Sequence, residues 1–221
     1  MALEDLLRDL SAEIGGAAET VGTVEIIVSA ATPVDGALSR VRERDANVIW
    51  VESAPGRGTQ LNAGAGRATG DWLWFVHADS RAPLGWLAAF RGIDADQSVA
   101  GGAFTFALDS AAWQARLLER GVALRVRWFN LPYGDQGLFV RRGIFESLGG
   151  FAPLPLMEDV EFVRRLTRLG QLRHLTLRLT TSARRWEREG WLRRSVRNLT
   201  TLSLYALGVS PERLARRYYE E

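Results

Sequence analysis

Two acidic stretches in this chain have neighbours that suit them to chemistry. His77-Ala78-Asp79 stands at the polar tip of a dense apolar run, Trp72-Leu73-Trp74-Phe75-Val76. Glu158-Asp159 opens a helical pattern just after Pro153 and Pro155. A hard divalent cation such as Mg2+ prefers oxygen ligands and draws most of them from phosphates and water. Mn2+ also accepts imidazole. Asp79 and His77 are therefore candidate metal or phosphate-side groups. The plain alternative is that Asp79 caps the helix expected from about Pro83. For Glu158 and Asp159 the chemical reading is a general base within reach of an attacking hydroxyl. Its plain alternative is that acids in a helix's first turn are favoured by the helix dipole.

Three further stretches carry suitable side chains. Gly56-Arg57-Gly58-Thr59-Gln60-Leu61-Asn62-Ala63-Gly64 follows a strand and opens a helix, so Arg57 at a helix N-terminus suits a phosphate. It lacks the third glycine of the dinucleotide fingerprint, where Leu61 stands, and the lysine of a P-loop. Close packing of a small-residue helix explains it equally well. Pro132-Tyr133-Gly134-Asp135-Gln136-Gly137 is a polar loop, and Tyr133, Asp135 and Gln136 suit a hydroxyl-rich ligand. A simple turn with Asp135 bonding its own backbone is the other reading. In Ser182-Ala183-Arg184-Arg185-Trp186, Arg185 can pair bidentately with phosphate and Trp186 can face a sugar ring. The alternatives are a solvated basic stretch beside Arg188, Arg193 and Arg194, or contact with an anionic lipid surface.

These residues need a scaffold, and the periodicity supplies one. Helices are expected over 3–14, 34–44, 59–68, from about 83, over 111–127, over 157–169, from about 191, and after Ser210-Pro211. Strands are expected over 24–28, 47–51, 72–76, 101–107 and 136–140, with one or two short ones after Gly170. The first half alternates helix and strand, which predicts an α/β fold with a mostly parallel open sheet flanked by helices. The 72–76 run is apolar enough to read as a strand buried on both faces at the sheet's centre. Ligands gather at the carboxyl ends of such strands. The helix from Trp191 carries Leu192, Val196, Leu199, Leu202 and Leu204 among arginines, and packing on the core is its expected role.

The chain of 221 residues is long enough for one domain. It has no cysteine, which excludes disulfides, thiolate metal sites and cysteine nucleophiles. It has no lysine either, which excludes Schiff-base chemistry and the Walker-A lysine. A net charge of +2 argues against nucleic acid as a partner. An acidic start and the lack of a long apolar run predict a cytoplasmic protein, with peripheral membrane contact through the arginine-rich C-terminal helix as an option.

In order along the chain, these motifs resemble the family 2 glycosyltransferases of GT-A fold. The similarity is greatest to a short bacterial subgroup associated with radical-SAM proteins and arsenosugar biosynthesis. It rests on the 56–64, 75–80, 101–104, 131–139, 155–161 and 181–186 stretches and covers about residues 20–215. The resemblance implies a single domain over 1–221 with a GT-A-like sheet, a nucleotide-side half over 1–110, an acceptor-side half over 111–188 and a C-terminal helical extension over 189–221. It implies inverting transfer of a sugar from a nucleotide-diphosphate donor to an acceptor hydroxyl, of hexosyltransferase type. Asp159 would be the base with Glu158 beside it. Arg57, Gln60, Asn62, His77, Asp79, Arg185 and Trp186 would meet the donor diphosphate. Tyr133, Asp135 and Gln136 would meet the acceptor, and Asp79 with His77 would hold Mg2+ or Mn2+. Two features depart from the pattern: the family's first apolar strand, followed by Pro and Asn-Glu, is missing, and Ser29 stands where an acid usually reads the donor base. Both affect the donor side. They keep open a second reading, a non-catalytic GT-A-like module that binds a sugar or partner. A nucleotidyltransferase is disfavoured, because the start of the chain has no glycine-rich basic loop.

Overall fold

The computed structural model describes residues 2–16, 23–34, 36–45 and 47–220. Its elements in order are α1 (Ala2–Gly16), β1 (Ile26–Ala31), α2 (Gly36–Arg44), β2 (Val48–Ser53), α3 (Arg57–Ala65), β3 (Trp72–Trp74), β4 (Ser80–Arg81) and α4 (Trp86–Asp94). They continue as β5 (Val99–Asp109), α5 (Trp113–Phe129), β6 (Phe139–Arg141), α6 (Arg142–Ser147), α7 (Glu158–Leu166), β7 (Gln171–Ser182), α8 (Arg184–Glu189), α9 (Trp191–Ala206) and α10 (Pro211–Glu220). The fold is α/β, with sheet flanked by helices and a helical C-terminal extension.

Among the described residues the strands form two sheets. β1 and β2 pair in parallel, and a five-stranded sheet has the order β3-β6-β5-β7-β4. The two long ladders, β1–β2 and β5–β7, are parallel; β3–β6, β5–β6 and β4–β7 are short and antiparallel. Gly101 and Gly102 allow the close approach at the centre. A β-carbon on Gly102 would lie 1.9 Å from the Arg173 carbonyl oxygen, and one on Gly101 would lie 2.5 Å from that of Phe139.

The 72–76 run differs from its expected place. Only Trp72–Trp74 pair, at an edge of the five-stranded sheet and antiparallel to β6. The apolar density is real and both faces are packed. Leu73 and Phe75 join Val140, Phe151 and Phe162, while Trp72, Trp74 and Val76 join Trp86, Phe104 and Phe139. Burial on both faces therefore does not make a strand central: β3 pairs with β6 alone among the described residues, and it borders a cavity. β7, at twelve residues, is the longest strand. Its alternation is broken where the register against β5 shifts between Phe104 and Thr105, which is why short strands are expected there from sequence.

α4 starts at Trp86, and its cap is not Asp79. Gly85 is the N-cap residue, and Glu13 of α1 accepts from the backbone N–H groups of Gly85 and Leu87. α9 also departs from expectation. Leu192, Val196 and Leu199 face solvent, whereas Arg194 is buried over the Trp186 ring and bonds Glu189 at 2.9 Å. Among the described residues no helix is long and apolar enough to cross a membrane.

Candidate active site

The site is built where the first turns of α3 and α7 meet. Gly56, with φ 134°, precedes Arg57 in a conformation open to glycine. A β-carbon on Gly58 would stand 2.8 Å from the Ala152 carbonyl oxygen, so the start of α3 lies directly on the loop before α7. Asn62 fixes that loop by donating to the Phe151 carbonyl at 2.8 Å and accepting from its N–H at 2.9 Å. Met157 then turns the chain with φ 68° into α7. A left-handed conformation on a side chain of that size costs about 1–2 kcal/mol, and such strain gathers at functional sites.

This packing sets Arg57 among three groups. Its Nε lies 3.1 Å from Glu158 Oε1 and its Nη1 lies 3.7 Å from Asp159 Oδ2. Its Nη2 donates to Nε2 of His77. Asp159 is further fixed at both oxygens: Oδ2 accepts from the Gly134 N–H and Oδ1 from the Val160 N–H, each at 2.8 Å. Glu158 and Asp159 are both buried.

The electrostatics follow from burial. Burial opposes the charge on Arg57, but the Asp159, Glu158 and Asp135 carboxylates outweigh it and hold its pKa above the usual guanidinium value. Burial and then the Arg57 cation push His77 down to about 3, so its ring is neutral and accepts through Nε2. Burial and the neighbouring Asp159 raise Glu158 in spite of the Arg57 ion pair. Asp135 is raised by burial, against the pull of Arg125.

The loop after α5 forms the next layer. Arg125 lies 3.4 Å above the Tyr133 ring and donates to Gln136 Oε1 at 2.9 Å. Gln136 also donates to the Phe104 carbonyl at 3.2 Å, so it is buried scaffolding. Burial pushes Tyr133 up to about 12. Arg125 is not marked as functional by sequence pattern, and Gly134 is marked only as part of the 132–137 loop. The role of Arg125 arises only when α5 packs back on its own following loop. That of Gly134 follows from its closeness to Arg57.

The remaining candidates separate. Asp79 is exposed in a tight turn closed by a 3.0 Å bond from the Ser80 N–H to the His77 carbonyl. Pairing of β4 with β7 carries this turn to the end of β7, just before Arg185. Arg185 is exposed and close enough to add to the repulsion that lowers His77. Trp186 instead lies in the core with Phe106, Leu108 and Ala115. Gln60 makes a 3.5 Å contact from Nε2 to the Ser29 carbonyl. Tyr219 of α10 senses Glu158, Arg57 and Arg185, which brings the C-terminal helix to the rim.

Arg57, Gly134 and Asp159 border a cavity of about 620 Å3 that also takes in Ser29, Gln60 and His77. Among the described residues no three His, Asp or Glu side chains converge as a metal cage.

The model of Glycosyl transferase family 2 matches residues 3–150, more than half of the chain, and the chain belongs to that family. The matched residues include Arg57 and His77 and stop before α7. No curated protein matches the chain in sequence. In fold it is similar to the mannosyltransferase PcManGT from Pyrobaculum calidifontis, a structure in complex with GDP-Man and Mn2+. That likeness has a TM-score of 0.64 and 19% identity over 96% of this chain and 62% of the other. It is also similar to TarS 1-349 of S. aureus, with a TM-score of 0.57 and 14% identity over 82% of this chain and 57% of the other. The chain thus spans about three-fifths of the length of these structures.

Proposed function

We propose that the protein transfers a sugar from a nucleotide-diphosphate donor to an acceptor hydroxyl, with inversion at the sugar carbon. Arg57 carries this reading: one guanidinium ties Glu158 and Asp159 to the His77 turn in the wall of a cavity. Asp159 is the base. Its oxygens are fixed by two backbone N–H groups, so the carboxylate is oriented before an acceptor arrives. Arg57 and Arg185 face the donor diphosphate, while Tyr133 and Asp135 border the acceptor. Family membership supports sugar transfer in general, and the bound GDP-Man in the similar mannosyltransferase supports a nucleotide-sugar donor. The likeness to the radical-SAM-associated subgroup rests on sequence motifs alone.

A divalent cation fits the site through Asp79, an exposed carboxylate beside the phosphate-facing groups. His77 does not join it, because its Nε2 faces the Arg57 cation. One carboxylate plus diphosphate oxygens and water is an ordinary Mg2+ or Mn2+ set. When bound, the metal would neutralise charge on the leaving diphosphate. The second reading, a non-catalytic sugar-binding module, is favoured by Ser29. It stands in the cavity wall in place of an acid, and its hydroxyl has no hydrogen-bond partner among the described residues.

Thermal denaturation with UDP or GDP, with and without Mn2+, tests the donor side. A ligand bound only by the native state raises its melting temperature. The expected result is stabilisation by a nucleotide diphosphate that needs Mn2+ and is weakened by Asp79→Ala. A folded protein that responds to no nucleotide contradicts the proposal.

A further inference from the structure

α5 carries an apolar surface that the candidate site does not use. Trp113, Leu117, Leu124 and Trp128 follow one another at intervals of four, seven and four residues, so they share one stripe of the helix. All four are exposed, the two indoles at 70% and 69%, and so is Phe129 at the end of the helix. At about 150–250 Å2 for each aromatic side chain, these three rings alone expose on the order of 400 Å2. A patch of that size on a monomer usually marks an interaction site. The opposite face is the packed one: Ala115, with Leu118 and Val122, sits on Phe106, Leu108 and Trp186. α5 thus has two apolar faces, and the described residues cover one.

Charge along the helix selects the partner. Each stripe leucine is followed three residues on by an exposed arginine, Arg120 after Leu117 and Arg127 after Leu124, so both cations flank the stripe. The helix has one acid, Glu119, and it faces the other way. It accepts from the Leu108 N–H at 2.8 Å and pairs with Arg116 at 3.0 Å and Arg178 at 2.8 Å. The exposed side is therefore apolar and basic, with an indole at each end. A second copy fits it poorly. Two copies paired through the stripe about a two-fold axis would set their Arg120 guanidiniums against each other with no acid between them. α9 shows a lesser version of the pattern. Leu192, Val196 and Leu199 are exposed, but two of its three arginines are used inside the fold, Arg194 over Trp186 and Arg197 on Glu189.

We propose that α5 docks the protein on an anionic lipid surface, lying in the plane of the headgroups with Trp113, Leu117, Leu124 and Trp128 turned into the acyl boundary. Seventeen residues make a helix about 25 Å long, which gives a broad footing parallel to the surface. Indoles favour the headgroup level, and flanking arginines meet lipid phosphates. Arg125 of the same helix donates to the Leu131 carbonyl at 3.1 Å and to Gln136 Oε1 at 2.9 Å. The loop that carries Gly134 and Asp135 is thereby fixed to α5, and docking holds it close to the bilayer. The proposal does not depend on the reaction assigned above.

Cosedimentation of the whole chain with vesicles of equal parts phosphatidylglycerol and phosphatidylcholine tests this. The wild type should bind them and bind pure phosphatidylcholine at least about tenfold more weakly. The pair Arg120→Gln and Arg127→Gln should lose a similar factor, since an arginine near an anionic surface is worth about fivefold. Trp113→Ser, Leu117→Ser and Trp128→Ser combined should abolish binding with the melting temperature unchanged, because these side chains are exposed. The matching serine variant of Leu192, Val196 and Leu199 should bind as the wild type does. Vesicles with brominated acyl chains should quench wild-type tryptophan fluorescence, and Trp113→Phe with Trp128→Phe should remove that quenching while keeping the binding. No binding by the folded wild type would overturn the proposal. So would binding that survives the α5 serine variant, or binding lost only in the α9 variant. A lipid-free dimer that the α5 serine variant dissociates would also overturn it, giving the stripe to a second copy. No lipid enters the nucleotide melting experiment, so either reading can fail alone.

Discussion

Gly134 lies so close to Arg57 that a β-carbon on it would stand 2.1 Å from Nη2 of the guanidinium and 3.1 Å from Asp159 Oδ2. The glycine lets a backbone N–H reach Asp159 while Arg57 occupies the space a side chain would take. Gly134→Ala must displace Arg57, Asp159 or both. Misplacing a reacting group by about 1 Å costs on the order of a hundredfold in rate. The expected outcome is a loss of transfer of that order with a native circular-dichroism spectrum; steady-state kinetics check it.

Arg57 is the cation between two buried acids. Removing one partner of a buried ion pair leaves the other uncompensated, at about 3–5 kcal/mol when fully buried. With 39% of the Arg57 side chain exposed, solvent screens part of this, and on the order of 2 kcal/mol is expected for Arg57→Gln. Urea denaturation at pH 7 measures it. Glu158→Gln in the same background should recover part of the loss, because it removes the buried charge left behind.

The order of elements is legible in sequence because hydrophobic period and turn residues are local. Helices α1, α5, α7, α9 and α10 fall close to the expected spans. Strand partners are not local. The 72–76 run announces burial but not that β3 sits at an edge, and the register shift in β7 hides its length. The candidate site divides in the same way. Glu158, Asp159, Arg57 and His77 are recognisable by type and position, and they do meet. Their mutual contacts are not readable, since they span about a hundred residues of chain. Asn62, Gln136 and Trp186 carry suitable chemistry but are committed to the Phe151 backbone, to Arg125 and Phe104, and to the core. Side-chain type does not reveal such commitments.

His77 gives the acid limb of stability a specific origin. Its folded pKa of about 3 lies below the unfolded 6.5. As pH falls below 6.5 the unfolded chain takes up a proton that the folded protein refuses until about 3. The contribution is therefore complete above 6.5 and is lost progressively toward 3. Glu158, raised above 4.5, acts with the opposite sign and weakens the fold as pH rises past that value. Denaturation between pH 7 and pH 5 should show falling stability in the wild type and a flatter profile in His77→Gln. Imidazole NMR should find His77 neutral at pH 5; titration near 6.5 would refute the buried contact with Arg57.

Trp186 is 9% exposed among Phe106, Leu108 and Ala115. Trp186→Ala should cost about 3–5 kcal/mol, as large-to-small core changes do. Nucleotide affinity of the folded fraction should be unchanged. Calorimetric unfolding and nucleotide titration check the two halves.

The base assignment is tested most directly by Asp159→Asn, assayed over a panel of nucleotide sugars with a nucleotide-diphosphate titration alongside. The amide oxygen can still accept from the Gly134 N–H, so the fold and the donor side should persist. The account predicts nucleotide diphosphate bound as by the wild type and turnover reduced by about a hundredfold to ten-thousandfold, the usual worth of a general base. Turnover equal to that of the wild type would contradict it.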